Sequence, residues 1–237
     1  MRIDIITITP EAFDSYLNTS ILARAQARGI IDINIHNPRD LTTDPHHTVD
    51  DRPYGGGAGM VLMAEPILQA FQNILKNSRR IKKRKVVILS AKGKQFNQKM
   101  AHDWSRRHKQ IIFISGRYEG IDERVRLILK AEEVSIGPYV LTDGDVAAMV
   151  AISAVTRLLP GAIKFESLQE ESFLGDLSVD GKLVEYPHYT RPEVLIWKGK
   201  KYRVPKVLLS GNHAKIKHFR HERALSATKK KGYGRKV

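Results

Sequence analysis

Two glycine-containing loops hold the residues best suited to bind and orient a small ligand: Gly116-Arg117-Tyr118-Glu119-Gly120, and Gly137-Pro138-Tyr139 with Thr142-Asp143-Gly144 just beyond. Each follows a short apolar run, Ile111-Ile112-Phe113-Ile114-Ser115 in the first case and Glu133-Val134-Ser135-Ile136 in the second. Glycines at such junctions let backbone N–H and C=O groups approach a ligand with no side chain between. A third candidate is the polar stretch from His36 to Gly59, with Pro38, Pro45, Pro53 and the run Gly55-Gly56-Gly57. No Gly-Lys-Ser/Thr follows it, which excludes a Walker A phosphate loop, and it makes no convincing dinucleotide fingerprint. On its residues alone it is either a structural turn or a ligand loop.

Strands and helices must aim these loops. Between the two main loops, Ile121 to Lys130 has helical spacing, with Val125, Leu127, Ile128 and Leu129 expected on its buried side. Strand, loop, helix, strand, loop, helix is the order in which an α/β fold sets loops at the carboxyl ends of parallel strands. Further strands are expected over Arg2 to Thr9, Ile31 to Ile35 and Val86 to Leu89, the last running into Ser90-Ala91-Lys92-Gly93. Helices are expected after Pro10, over Ser20 to Arg28 with Gly29 as its stop, over Glu65 to Lys76, over Gln95 to Arg107, and over Val146 to Leu159 before Pro160-Gly161. The segment Val146 to Val155 is too short to span a bilayer and reads as a buried helix.

The 237 residues carry a formal charge of +15, from 40 Lys and Arg against 25 Asp and Glu. That excess points to a polyanionic partner, most simply nucleic acid. The cations cluster in Arg79 to Lys85, a solvated turn or a phosphate contact, and again beyond Lys198. The chain has no cysteine, which excludes a disulfide scaffold and a thiol nucleophile and suits a reducing, cytoplasmic setting. No signal-peptide pattern opens it. Gly161 to Gly175, with its acidic run Glu166 to Glu171, reads as a linker. Beyond it lie two aromatic–basic clusters (Tyr186 to Arg191 and Trp197 to Arg203), a basic helix over Asn212 to Ala227, and a Lys-rich tail expected to order only on phosphates. His213, His218 and His221 lie on that helix, and a solvated basic face is favoured over a metal site.

The sequences GRYEGIDERV and SIGPYVLTDGDVAAM resemble the cofactor loops of the bacterial tRNA (guanine-N1)-methyltransferases, and the resemblance recurs at DDRPYGGGAGM (50–60) and PHYTRPEV (187–194). That family belongs to the trefoil-knot (SPOUT) class and uses S-adenosylmethionine. Composition and spacing alone give an α/β protein with a small-molecule site; the knot comes only from the resemblance, against the base rate. It implies a parallel sheet flanked by helices with a C-terminal trefoil knot, then a small, mainly helical C-terminal domain. The expected division is a knotted catalytic domain over 1–160, a flexible linker over 161–175 and a basic tRNA-binding domain over 176–237. The implied reaction is methyl transfer to N1 of guanosine 37 of tRNA, beside the anticodon. The resemblance assigns the cofactor to Leu89, Ser90, Gly116, Tyr118, Glu119, Gly120, Ser135, Ile136, Gly137, Pro138, Tyr139, Val140, Leu141 and Gly144. It assigns the RNA substrate to Asp50, Arg52, Tyr54, Glu185, His188 and Arg191. It further implies a homodimer with shared active sites, no membrane, and Mg²⁺ in the catalytic step, with no metal ligands assigned.

Guanine N1 carries a weakly acidic proton that a base must remove, and negative charge then grows toward O6. The methyl group arrives activated, so alignment for in-line displacement suffices and no protein nucleophile is needed. The resemblance makes Glu171 the general base, with Glu170 as the neighbouring alternative, and Arg157 the O6 partner. Read without it, Arg157 is a cation placed favourably at a helix C-terminus. The chain departs from the family pattern at Glu171 (usually Asp), Ala91 and Ala147 (usually Pro), Asp143-Gly144 (usually Gly-Gly) and in its short C-terminal end. A non-catalytic basic RNA-binding protein is the alternative class, and ribose 2′-O methylation the rival reaction; the two intact loops favour guanine methylation.

Overall fold

A computed structural model of the chain describes residues 1–164 and 184–230. They fall into two units, Met1–Ile163 and Lys164–Val237. In the first unit β1 (Arg2–Ile6), β2 (Asp32–His36), β5 (Arg84–Gln95), β6 (Gln110–Ser115) and β7 (Glu132–Ser135) form a sheet in the order β2-β1-β6-β5-β7. Every pairing in it is parallel. Parallel sheets are covered on both faces, so their strands are apolar almost throughout. Here alternate residues of β6 divide between two cores. Ile111 and Phe113 join Ile3, Ile5, Trp104 and Ile152 on one face, while Ile112 and Ile114 join Ile6, Ile67, Ile74 and Val125 on the other.

The first face is covered by α1 (Asp14–Leu17), α2 (Ser20–Ala27), α4 (Gln98–Arg107) and α6 (Asp145–Thr156); the second by α3 (Ala64–Asn77) and α5 (Glu123–Leu129). Local chemistry sets several ends. Asn97 Oδ1 accepts the Met100 N–H at 3.0 Å to start α4, and Asp122 Oδ1 accepts the Arg124 N–H at 2.9 Å to start α5. Pro10 opens a short 3₁₀ turn, Pro10–Phe13, ahead of α1, and β1 ends at Ile6 instead of Thr9. The polar stretch after β2 is not wholly irregular. It contains a 3₁₀ turn, Pro38–Leu41, and the small antiparallel pair β3 (Asp50–Asp51) and β4 (Val61–Leu62).

Three expectations need correction. Leu127 and Ile128 were assigned to the buried side of α5, but they are 59% and 60% exposed. With seven residues, α5 has a narrow buried stripe, and Val125 and Leu129 fill it. Within the supposedly buried Val146 to Val155, Val146 and Val150 are exposed, forming an i,i+4 stripe on the outer side of α6. Finally, β5 continues six residues beyond Leu89, with a register shift between Leu89 and Lys94 that lets Lys94 and Gln95 pair with Val134 and Ser135. Gly93 makes this crossing possible, because an added Cβ would lie 2.4 Å from the backbone of Glu133 and Val134.

The second unit holds a β-hairpin beside its helix, which the sequence reading did not expect: β8 (Val194–Trp197) and β9 (Lys200–Arg203) pair antiparallel. The turn residues Lys198 and Gly199 both have positive φ (48° and 74°), as a two-residue hairpin turn requires. Four consecutive apolar residues, Val194-Leu195-Ile196-Trp197, hide the alternation that would mark a strand. A 3₁₀ turn (Lys206–Leu209) and α7 (His213–Lys230) follow, with Asn212 Oδ1 accepting the Lys215 N–H at 3.0 Å. The start of the expected Lys-rich tail is therefore helical. Near the end of α7, Thr228 Oγ1 accepts the Val184 N–H at 3.0 Å and donates to the Ala224 carbonyl at 2.8 Å. Most of the expected linker, residues 165–175, and the tail from 231 lie outside the described residues.

Candidate cofactor site

A cavity of about 400 Å³ opens at the carboxyl ends of β5, β6 and β7, the standard ligand position in a parallel sheet. The loop after β6 forms one wall. Tyr118 (φ 57°) and Gly120 (φ 129°) turn it sharply, and three backbone hydrogen bonds strap it to β4. The Glu119 N–H donates to the Met60 carbonyl at 3.0 Å, the Leu62 N–H to that of Gly120 at 2.9 Å, and the Asp122 N–H to that of Leu62 at 3.0 Å. Gly59 (φ 76°) leaves room for the Glu119 side chain, whose Oε1 would lie 2.5 Å from a Cβ added there. The glycine-rich stretch after β3 is thus part of the wall's support.

The loop after β7 forms the opposite wall. Ser135 Oγ donates to the Gly137 carbonyl at 2.8 Å and accepts the Gly137 N–H at 3.2 Å, which folds the backbone tightly. The chain then crosses back over the strand ends to α6. The Gly144 N–H donates to the Gly116 carbonyl at 2.9 Å, and a Cβ at Gly144 would sit 3.0 Å from the Ser115 Cα. The buried Asp145 fixes the start of α6 beneath β1 by accepting hydrogen bonds from Thr7 Oγ1 (2.8 Å) and Thr9 Oγ1 (2.6 Å). Asp143 lines the cavity, with its carboxylate held by local hydrogen bonds. Its Oδ1 accepts the Asp145 N–H at 3.0 Å and its Oδ2 accepts from Thr142 Oγ1 at 3.2 Å.

Of the residues expected around the cofactor, Leu89, Ser90, Gly116, Tyr118, Glu119, Gly120, Ser135, Ile136, Tyr139, Val140, Leu141 and Gly144 line this cavity. Gly137 and Pro138 do not. The Tyr139 ring covers Gly137, where an added Cβ would fall 2.3 Å from its Cε1. Residues the sequence reading missed form a charged rim. Lys92 Nζ lies 3.3 Å from Glu133 Oε1, Arg126 pairs with Glu123 at 2.5 Å, and Arg124 pairs with Asp122 at 2.5 Å. Hydrogen bonds from Arg124 and Arg126 hold the Asp122 and Glu123 carboxyls below their ordinary range, so both stay ionised. The i,i+3 spacing of Glu123 and Arg126 was the available signal.

Asp50, Arg52 and Tyr54 stand outside the cavity lining, on the β3–β4 hairpin whose second strand braces the Glu119 loop. Asp50 lies 4.0 Å from Arg39, and the Tyr54 side chain is fully exposed. Arg157 is half-buried at the C-cap of α6, while the cavity meets that helix at Gly144 and Ala147. Ten residues of helix rise about 15 Å, so Arg157 does not reach this cavity. Glu185, His188 and Arg191 belong to the second unit. There His188 Nε2 lies 3.4 Å from Glu185 Oε2, the Tyr186 and His188 rings are 4.7 Å apart, and Arg191 precedes a cis proline. Glu171 and Glu170 lie outside the described residues.

The cavity suits a cofactor of nucleoside size: its volume lies within the range of small-molecule sites. Gly116, Gly120 and Gly144 contribute backbone to its lining. No group of three or more His, Asp or Glu side chains that could hold a metal exists among the described residues, so the implied Mg²⁺ finds no built site there. No helix among them is long and apolar enough to cross a membrane.

Residues 1–234 match the family model described as tRNA (Guanine-1)-methyltransferase TrmD. A tRNA (guanine-N(1)-)-methyltransferase of Carboxydothermus hydrogenoformans is 51% identical over 229 residues, covering 96% of this chain and 84% of its own length. Its namesake in Thermomicrobium roseum is 50% identical, with 96% and 80% covered, and that of Clostridioides difficile 44%, with 98% and 96% covered.

Proposed function

The chain belongs to the tRNA (guanine-1)-methyltransferase family, and from that membership we propose that it methylates N1 of guanosine 37 in tRNA, with S-adenosylmethionine as donor. The observation that carries the reading is the cavity itself, built by GRYEG and SIGPYVLTDG at the carboxyl ends of three parallel strands. The cofactor supplies a methyl group on a cationic sulfur, ready for displacement. Glu119 and the backbone of Gly116 to Gly120 would hold one side of it, and Ser135 to Leu141 the other. The crossing of the chain from β7 back to Gly116, with β5 pressed through by Gly93, supports a trefoil knot as the frame of this site.

Glu171 would accept the N1 proton, and the N1 lone pair would then form the new N–C bond as the S–C bond breaks. Arg157 would meet the charge developing on O6. Since Arg157 lies about three helical turns from its own subunit's cavity, the arrangement calls for a second copy that brings its Arg157 to the first copy's cofactor. The exposed Val146 and Val150, on the helix that carries Arg157, offer an apolar face for that contact. The second unit, with its basic hairpin and helix, would hold the RNA. Incubation with methyl-labelled cofactor and unmodified tRNA, then digestion to nucleosides, tests this reading. Label in 1-methylguanosine supports it; label in a 2′-O-methylated nucleoside, or none in RNA, rejects it.

A further inference from the structure

The two basic stretches Arg79 to Lys85 and Arg106 to Lys109 are separate in sequence, but the sheet brings them together at the amino ends of β5 and β6. The Lys109 and Gln110 N–H groups both donate to the Lys83 carbonyl, at 2.8 and 3.3 Å. Several cations in these stretches are already committed. Arg84 turns inward to Gln110 Oε1 and the Ser78 carbonyl, Lys85 pairs with Glu132, and Arg107 pairs with Asp103. That leaves Arg79, Arg80, Lys82, Lys83, Arg106 and Lys109, all exposed and none in an ion pair among the described residues.

This cationic surface lies across the sheet from the cofactor cavity. The six residues of β6 separate Lys109 from Gly116 by about 20 Å. We propose that it is a second RNA-binding surface, one that takes the phosphate backbone of a double-stranded stem of the tRNA whose guanine enters the cavity. The inference rests on tRNA being the substrate. A stem fits better than an unpaired segment because none of the exposed aromatic residues lies in either stretch, so the surface has no platform on which to stack free bases. Fixed cations on a rigid sheet end match a regular row of phosphates instead.

Two neighbouring groups register cations of this set, behind the larger effect of burial. Burial, then Arg106, pushes His102 toward its neutral form. Burial and Lys109, opposed by Asp32, lower the amino group of Met1.

The test is tRNA binding as a function of salt, for wild type and for a variant combining Arg79→Ser, Arg80→Ser, Lys82→Ser and Lys83→Ser. These side chains are exposed and far from the cavity, so cofactor affinity serves as the folding control. Each phosphate contact contributes about 0.9 to the slope of log affinity against log salt, so the variant's slope should flatten by about two or more. Its KM for tRNA should rise at least tenfold with turnover at saturating tRNA unchanged. A second variant, Arg106→Ser with Lys109→Ser, approaches the surface from another element and should reproduce part of the loss. Unchanged slope and KM in both variants overturn the proposal. Failure of the methyltransferase reading would look different: wild type would transfer no methyl group, whatever its salt slope.

Discussion

The Gly144 N–H meets the Gly116 carbonyl at 2.9 Å, joining the loop after β7 to the loop after β6 across the end of that strand. A Cβ at Gly144 would lie 3.0 Å from both the Cα and the Oγ of Ser115 and 3.1 Å from the Gly116 nitrogen, so the close approach depends on glycine. Gly144→Ala is expected to cost about 1–3 kcal/mol of stability by overpacking and to weaken S-adenosylmethionine binding. Gly116 has more room, its added Cβ meeting Ile121 Cγ1 at an ordinary 3.5 Å. Gly116→Val should therefore fold normally and lose cofactor affinity, because the extra methyls enter the cavity. Urea denaturation beside calorimetric titration separates the two effects. Equal affinity in Gly116→Val and wild type would remove the cofactor from this cavity.

The buried Asp4 gives the sheet a distinct acid response. It accepts hydrogen bonds from Arg2 Nε at 2.9 Å and Gln110 Nε2 at 2.8 Å, and lies 2.9 Å from His36 Nε2. Burial alone would raise its pKa, but the bonds from His36, Arg2 and Gln110 more than offset this and hold it below the usual value. A carboxyl depressed in the folded state stabilises fully above its unfolded value, about 4, and that contribution disappears as pH falls through the lower folded value. Asp4→Asn should cost about 3 kcal/mol or more at neutral pH, since it breaks a buried charged network, and it should flatten the acid side of the stability profile. Urea midpoints between pH 3 and 7 would show this; parallel profiles for variant and wild type would contradict it.

Much of this was readable in the residues. The apolar runs before GRYEG and SIGPY gave the parallel strands and the loops at their ends, since buried strands and glycine turns are local signals. The six-residue continuation of β5 was not readable, because Lys92 and Lys94 look like loop residues until β7 is there to pair with them. Leu127 and Val146 looked buried because periodicity marks an apolar face without saying what covers it. The hairpin from Val194 to Arg203 was obscured by its consecutive apolar residues. The place of Arg157 near the C-terminus of α6 was legible from the helix pattern, but that the cavity meets only the first turn of that helix needed the structure.

That place for Arg157 makes a prediction about subunits. Arg157→Ala should lower turnover about a hundredfold, as loss of one donor to a developing oxyanion does, with a smaller effect on tRNA affinity. Arg157→Lys should restore only part, lacking the planar fork. If the arginine acts on the partner's cavity, mixing Arg157→Ala protein with Gly116→Val protein should regain activity. Each mixed pair then holds one intact cavity facing one intact arginine. A mixture no more active than its components would contradict action of Arg157 on a partner's cavity.

Glu171→Gln should bind cofactor and tRNA normally and lose nearly all methyl transfer, because an amide cannot take the N1 proton. Glu170→Gln is the control and should be mild. Wild-type single-turnover rates should rise with pH as the base ionises and the guanine proton loosens. Rapid-quench measurement across pH distinguishes the two positions. An inactive Glu170→Gln beside an active Glu171→Gln would move the base by one residue.

The central claim is that this chain methylates a Watson–Crick edge, N1 of guanosine 37, and reverse transcription reads that edge directly. A tRNA transcript is incubated with the protein and S-adenosylmethionine, then copied by a primer annealed downstream. The account predicts a new stop one nucleotide before position 37, absent without cofactor and absent when adenosine replaces that guanosine. Full-length copying after complete incubation, or a stop that persists with adenosine at 37, would contradict it.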